Sequence, residues 1–189
     1  MKLPRIDLPM LRWFRAFARA RDGLAAIEFA MLAPIMLLIY FGLTEFTQAY
    51  MANRRANHMA SIVADLIAQG ETTNTAELQR AFDMGPLVLK PFKADDLSIR
   101  VTSVTWMNGK GAVVDWSRSS NNGLNNFKKN DVITVPEKLI SNGESLIIGE
   151  SRYVYEVEIA RVIAQPLTFQ RRYYLKPRST DKITCSDCK

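Results

Sequence analysis

An apolar stretch near the start of the chain dominates its hydrophobic pattern. Between Leu24 and Leu43 the one charged residue is Glu28, and the stretch has about 20 residues, the length that a helix needs to cross a bilayer. A short basic segment precedes it, and most of the 189 residues follow it. The pattern predicts a transmembrane helix over residues 24–43 in a single-span membrane protein with an external domain.

Helical spacing continues beyond the predicted span. Gly70 stands where a glycine commonly follows a helix end, so we expect a helical stalk over residues 44–69 that is continuous with the span. One stripe of this stalk could pack against another helix or against the chain's own domain. The stripe recurs at steps of three and four residues, and its members are Phe46, Ala49, Asn53, Ala56, Ala60, Val63 and Ile67.

Residues 70–189 are predicted to form a β-rich domain. Apolar and polar residues alternate over Leu97–Trp106, as in a half-buried strand. Asn108-Gly109 is a strong hairpin signal, and Ala112–Trp116 would be the returning strand. We expect the tryptophans that end these two segments to pair across the hairpin.

Further short elements complete the predicted domain. A helix over residues 76–82 would begin with Thr75 as its N-cap. Gly149 flanks a short apolar segment, and two long alternating segments, Tyr153–Ile163 and Leu167–Leu175, predict a second pair of strands. The fold class expected from these patterns is α+β, with a long N-terminal helix followed by a β-rich domain.

The distribution of charge predicts the orientation of the span. Residues 1–22 carry six Lys or Arg residues against two Asp, so most of the net charge of +6 precedes the span. Basic residues flanking a span hold that end in the cytoplasm. Residues 1–23 are therefore predicted to be a basic cytoplasmic leader. Its expected partner is anionic lipid rather than nucleic acid.

A cleaved signal peptide is the alternative explanation of the leader and the apolar stretch. A basic segment followed by an apolar one is also the pattern of a secretory signal. However, this apolar run is longer than is usual in such signals, and no Ala-x-Ala site follows it. A retained span is the favoured interpretation.

Gly23, Leu24 and Glu28, followed by an apolar helix, resemble the processing site of type IV prepilins and pseudopilins. In that family a membrane aspartyl peptidase cuts after the glycine, and the mature chain has glutamate at its fifth position. The resemblance implies cleavage between Gly23 and Leu24 and charge pairing of Glu28 with the α-amino group of a neighbouring subunit. The alternative is that Glu28 lies near the cytoplasmic interface and its carboxylate reaches water.

A longer stretch, from about Gly23 to Asp65, resembles the TadE-like family of tight-adherence (Flp) pilus assembly proteins. The resemblance rests on small residues before the acid and on the ordered set Glu28-Phe29-Ala30, Pro34, Gly42 and Glu45. Members of that family are bitopic envelope proteins, and some are minor pseudopilins, so the resemblance implies a bitopic, minor-pseudopilin-like protein. The predicted β-rich segment behind a long helix fits a pilin-like outer domain. The implied partners are the inner membrane, a prepilin peptidase, other pilins or pseudopilins and Tad machinery subunits. Pro34 removes a backbone donor and is expected to kink the helix.

The remaining candidate residues carry little chemistry. Cys185 and Cys188 fall in the last five residues, and we expect them to form a disulfide in an oxidising compartment, either within the tail or with a partner. His58 is the only histidine, so no His-based metal site is expected, and this residue should lie exposed on the stalk. Glu45 is expected to be solvated. We expect no metal and no cofactor.

The sequence favours a non-catalytic protein, because it contains no phosphate-binding loop, nucleophile elbow or metal-binding cluster. The predicted function is that of a pilus-assembly component held in the bacterial inner membrane with its domain in the periplasm. One alternative is an unprocessed bitopic envelope protein whose periplasmic domain binds a partner or the cell wall. Another is a periplasmic protein released by signal peptidase.

Overall fold

The computed structural model describes residues 22–121, 123–157 and 165–188. The chain forms two compact units, residues 1–44 and residues 45–189, and each is described by itself. Almost all of the predicted leader lies outside the described residues, as does the end of the strand predicted over Tyr153–Ile163. The long N-terminal helix and the β-rich remainder confirm the predicted α+β class.

Helix α1, Asp22–Gln69, provides the described part of the first unit and the beginning of the second. In the first unit its apolar side chains are exposed, and Phe29, for example, is 68% exposed. By length and composition this helix is able to cross a membrane. A helix whose large apolar side chains are exposed on all sides needs lipid or other helices around it.

From Glu45 onward one face of α1 is buried in the second unit. The small side chains on this face let the helix backbone approach its neighbours closely. The stripe therefore packs against the chain's own domain, whereas Phe46, which was predicted to belong to it, is 65% exposed. The buried residues are Ala49, Ala52, Ala56, Met59, Ala60, Val63, Ala64, Ile67 and Ala68.

The described strands form two sheets. The bounds of the strands and of two short helices are β1 Thr72–Thr73, α2 Thr75–Phe82, α3 Gly85–Leu89, β2 Leu97–Met107, β3 Gly111–Ser119, β4 Val132–Ile133, β5 Ser145–Tyr155, β6 Leu167–Leu175 and β7 Thr184–Cys185. Five strands make one antiparallel sheet in the order β4-β3-β2-β5-β6, and β1 pairs in parallel with β7. A 3-10 turn, Glu137–Leu139, lies between β4 and β5.

Helix α1 approaches the sheet closely at Gly149, in the middle of β5. A Cβ atom at this position would lie 2.4 Å from the carbonyl oxygen of Ala60 and 2.7 Å from the Cβ of Ala64. Only glycine fits between this strand and this helix. The prediction that Gly149 flanks an element is therefore wrong, because strand β5 begins at Ser145 and runs through it.

The opposite face of the sheet carries a buried ionic cluster. Glu150, 1% exposed, accepts hydrogen bonds from the Nε atoms of Arg100 and Arg172, each at 2.7 Å. Arg100 also stacks 3.9 Å from the ring centre of Phe127 and donates to the carbonyl oxygen of Asn125. The two arginines satisfy both carboxylate oxygens, which is the condition under which a charge is tolerated in a protein interior.

The hairpin between β2 and β3 is confirmed, but the tryptophan pair predicted across it is wrong. The turn sets the register, so Trp106 lies opposite Ala112, while Trp116 lies opposite Ser103 beyond a bulge. The two rings consequently pack in different hydrophobic clusters. The indole Nε1 of Trp116 donates to the carbonyl oxygen of Ile183 at 2.9 Å.

The predicted helix over 76–82 is confirmed with one correction at its start. The N-cap is Asn74, whose side chain accepts a hydrogen bond from the backbone N–H of Glu77 at 2.9 Å. Thr75 instead contacts the C-terminal segment, because its backbone N–H donates to Asp187 at 2.8 Å. This contact and the pairing of β1 with β7 fix the end of the chain against the start of α2.

We expect Gly149→Ala to lower the free energy of unfolding by about 1–3 kcal/mol, because the added methyl group overpacks the interface between α1 and β5. The measurement is chemical unfolding of the full-length protein in detergent, followed by circular dichroism. Thr168→Ala, an exposed change on β6, is the control and should alter stability by less than about 0.5 kcal/mol. Equal stability of the two variants would show that the close approach is not a real constraint.

Stability should also depend on the ionisation of Asp187. Hydrogen bonds from the Thr75 hydroxyl and then from its backbone N–H lower the pKa of Asp187 below its ordinary value of 3.8. Because the folded-state pKa is the lower one, the stabilisation is present above 3.8 and is lost as the pH falls through the folded-state value. The stability difference between the wild type and Asp187→Asn should therefore shrink in acid.

This difference is measured as the free energy of unfolding at a series of pH values. Asp181→Asn is the matched control, since Asp181 is exposed in the same segment and forms no hydrogen bond or ion pair with a described residue. A difference for Asp187→Asn that stays constant with pH would contradict the proposed role of the carboxylate charge.

Candidate functional site

The residues predicted to form a processing site all lie in the first turns of α1 and are exposed. Apart from its chain neighbours and the backbone of its own helix, no described residue places a heavy atom within 4 Å of the position that a Cβ of Gly23 would occupy, and the φ of Gly23 is not in the left-handed region. The fold therefore does not require a glycine there. A requirement for glycine at this position would have to come from something that binds the segment.

Glu28 is exposed among apolar side chains of the same helix. It lies four residues after Leu24, so the two residues share one helix face. Glu28 forms no hydrogen bond or ion pair with any described residue. The structure thus places the predicted cleavage and pairing residues together, with the carboxylate open to a partner from outside the chain.

Pro34 lies inside α1, and the helix continues through it. Proline has no backbone N–H, so the carbonyl oxygen of Ala30 lacks its usual donor within the helix. Further along the same helix, the Thr44 hydroxyl donates to the carbonyl oxygen of Tyr40 at 2.9 Å. The kink at Pro34 stays a prediction.

Glu45 is buried rather than solvated, and the prediction made for it is wrong. It is 3% exposed, and its Oε1 accepts a hydrogen bond from the Tyr155 hydroxyl at 2.8 Å. The tyrosine ring packs edge-to-face against Phe92 at 6.1 Å. The helical spacing Glu45, Ala49 and Ala52 already placed this acid on the buried stripe, so the signal was present in the sequence. His58, by contrast, is exposed as predicted.

Cys185 and Cys188 are bonded to each other in the C-terminal segment, with their Cα atoms 5.5 Å apart. The Asp187 carboxylate lies between them in sequence, and these three side chains are close enough together to be considered as metal ligands. However, cysteine binds a metal as a thiolate. The disulfide therefore removes two of the three donors from this group.

Among the described residues, these features define a protein with one candidate membrane span and one folded α+β domain. Residues 23–65 match the family model of TadE-like proteins. Comparisons with curated proteins and with solved structures gave no match. The resemblance predicted from Gly23 to about Asp65 is confirmed, and it indicates a component associated with a Tad pilus system.

The match extends well beyond the candidate span. It contains Glu28 on the exposed part of α1 and also Glu45 and most of the buried alanine stripe. The family pattern in this chain therefore includes both an apolar helix surface and the helix face that packs on the folded domain.

Tyr155→Phe should lower the free energy of unfolding by about 1–3 kcal/mol, because it removes a donor from the buried Glu45 carboxylate. Tyr153→Phe is the matched control on the same strand, since the Tyr153 hydroxyl makes no hydrogen bond to a described residue. Glu45→Gln keeps an oxygen acceptor and should cost less than Tyr155→Phe. Equal effects of the two tyrosine changes, measured by chemical unfolding in detergent, would count against this hydrogen bond.

Proposed function

We propose that this protein is a non-catalytic, minor-pseudopilin-like component of a tight-adherence (Flp) pilus assembly system. It is anchored in the bacterial inner membrane, with its N-terminus in the cytoplasm and its β-rich domain in the periplasm. The observation that carries the proposal is the TadE-like match over residues 23–65, which contains Gly23, Leu24 and Glu28 on an exposed apolar helix.

Processing is the first step of the proposed role. A prepilin peptidase cleaves the bond between Gly23 and Leu24 and removes the basic leader. The exposure of these residues at the start of α1 supports access by the peptidase, and the first turn of a helix frays more easily than its interior. Cleavage creates a new α-amino group on Leu24, one helical turn from Glu28.

Charge pairing is the second step. A lone carboxylate within a span costs about 2–3 kcal/mol on insertion scales. In an assembly the Leu24 ammonium of one subunit pairs with the Glu28 carboxylate of its neighbour, which offsets the cost of keeping either charge in lipid. The exposed apolar side chains around Glu28 provide the lateral helix contacts, and Pro34 lets the helix adapt to them.

The periplasmic location is consistent with a disulfide between Cys185 and Cys188. The alternative function is that of an unprocessed bitopic envelope protein, in which the leader is retained and Glu28 is an interfacial acid. The two functions make opposite predictions about the mature N-terminus.

The test of processing is the intact mass of membrane-extracted protein produced with and without its prepilin peptidase. We expect a peptidase-dependent loss of residues 1–23, and we expect Gly23→Leu to prevent it by blocking the peptidase site. Full-length protein under both conditions would overturn the processing step and favour the unprocessed bitopic protein.

Glu28→Ala should leave membrane insertion unchanged but reduce incorporation into the pilus machinery, because the assembly loses its charge pair. The measurement is the fraction of the protein that co-purifies with pilus subunits relative to its total in the membrane. Glu71→Ala, which changes an exposed acid outside α1, is the control. Normal incorporation of the Glu28→Ala variant would contradict the proposed role of Glu28.

A further inference from the structure

A basic cleft lies between α1 and β6, entirely within the second unit. Its volume is about 700 Å³, which is within the usual range of ligand sites in proteins. Tyr50, Arg54 and His58 line it from α1, and Arg171 and Tyr173 line it from β6. No carboxylate of a described residue lines this cleft, so its potential is positive.

Two of its cations are available to a ligand. Arg54 and Arg171 are exposed and form no ion pair or hydrogen bond with a described residue. The neighbouring arginines are already engaged: Arg55 donates to the backbone carbonyls of Val88 and Lys90, and Arg172 binds Glu150 on the other face of the sheet. The cleft thus presents two arginines, one from each wall.

The register of the sheet explains why β6 contributes to this cleft. Tyr173 lies opposite Gly149, whose missing side chain is the point of contact with Ala60 of α1. Residues directly opposite in an antiparallel pair point to the same face. Tyr173, and Arg171 two residues before it, therefore face α1, where they meet the helix residues that lie beside the buried stripe.

Strand β6 is also an edge strand of the sheet that the described residues form. It is the last strand of the sheet and pairs with β5 on one side only among the described residues. An exposed strand edge offers backbone N–H and C=O groups to an added strand. A peptide in extended conformation is the ligand class that uses such an edge.

We propose that this cleft binds an extended acidic peptide segment of a partner protein. Its carboxylates pair with Arg54 and Arg171, its backbone adds to the edge of β6 that no described strand covers, and Tyr50 and Tyr173, 59% and 37% exposed, cover its side chains. The site does not depend on processing of the leader or on the assembly role of Glu28.

The test uses the full-length protein in nanodiscs of zwitterionic lipid, so that the bilayer contributes no net charge. The probe is a fluorescein-labelled peptide of alternating glutamate and valine, and binding is followed by fluorescence anisotropy. We expect saturable binding that weakens with added salt, and no binding of the matching lysine–valine peptide. Absence of binding by the glutamate–valine peptide would overturn the proposal.

The double variant Arg54→Gln/Arg171→Gln should weaken binding about tenfold, because charge-assisted hydrogen bonds from both walls are lost. Lys110→Gln/Lys129→Gln, which removes two exposed cations outside the cleft, is the matched control and should leave binding within about twofold. Circular dichroism checks that both proteins are folded. Equal affinities of the two double variants would overturn the assignment to this cleft.

Strand addition has its own test. Peptides N-methylated at every second residue, either on the glutamates or on the valines, remove the N–H groups from one edge of the extended chain at a time. One of the two should lose binding, and full binding of both would overturn the pairing with β6. A third outcome would overturn the peptide proposal. If inorganic phosphate or phosphatidylglycerol vesicles displace the probe and both N-methylated peptides bind equally well, the cleft binds a phosphate headgroup instead.

Discussion

The second unit depends on how closely α1 approaches the sheet. The alanine stripe lets the helix backbone come to Gly149, where a single added carbon atom would collide with Ala60 and Ala64. This contact fixes which face of α1 is buried and brings Glu45 to the Tyr155 hydroxyl. It also leaves Tyr50, Arg54 and His58 beside the edge strand rather than beneath the sheet. Close packing of this kind tolerates little change in volume, so one contact constrains the rest of the helix.

The two faces of the sheet bury their residues in different ways. The α1 face is mainly apolar, whereas the opposite face combines a second hydrophobic cluster with Glu150, which is enclosed between Arg100 and Arg172. A buried carboxylate with two partners is costly to form and more costly to break. It also holds Arg172 on the far side and leaves Arg171 as the β6 arginine of the cleft. Because consecutive side chains of a strand point to opposite faces, Arg172 binds Glu150 on one face while Arg171 remains available to a ligand on the other.

The exposed apolar part of α1 and the folded domain have different requirements. The first unit exposes large apolar side chains, and a continuous apolar surface of this kind is unfavourable in water. Its acid, Glu28, has no partner among the described residues. The two buried acids of the described domain have partners: Glu45 binds Tyr155, and Glu150 binds two arginines. This contrast is the physical basis for our proposal that the apolar helix takes part in assembly and that the domain has a separate site for a partner.

The sequence by itself determined the long helix, the apolar segment, the hairpin at Asn108-Gly109 and the TadE-like resemblance, because periodicity, hydropathy and turn chemistry are local properties. Only the tertiary structure decided which partner the alanine stripe takes, since a small-residue face suits a sheet as well as a helix. The register of the strands could not be predicted from local patterns either. For this reason Gly149 was predicted to flank a strand that in fact runs through it, and the two tryptophans were predicted to pair. Glu45 was misjudged for a different reason: helical spacing places it on the buried stripe, but the hydroxyl that hydrogen-bonds its carboxylate there belongs to Tyr155, 110 residues away, and sequence spacing does not reveal a partner at that distance.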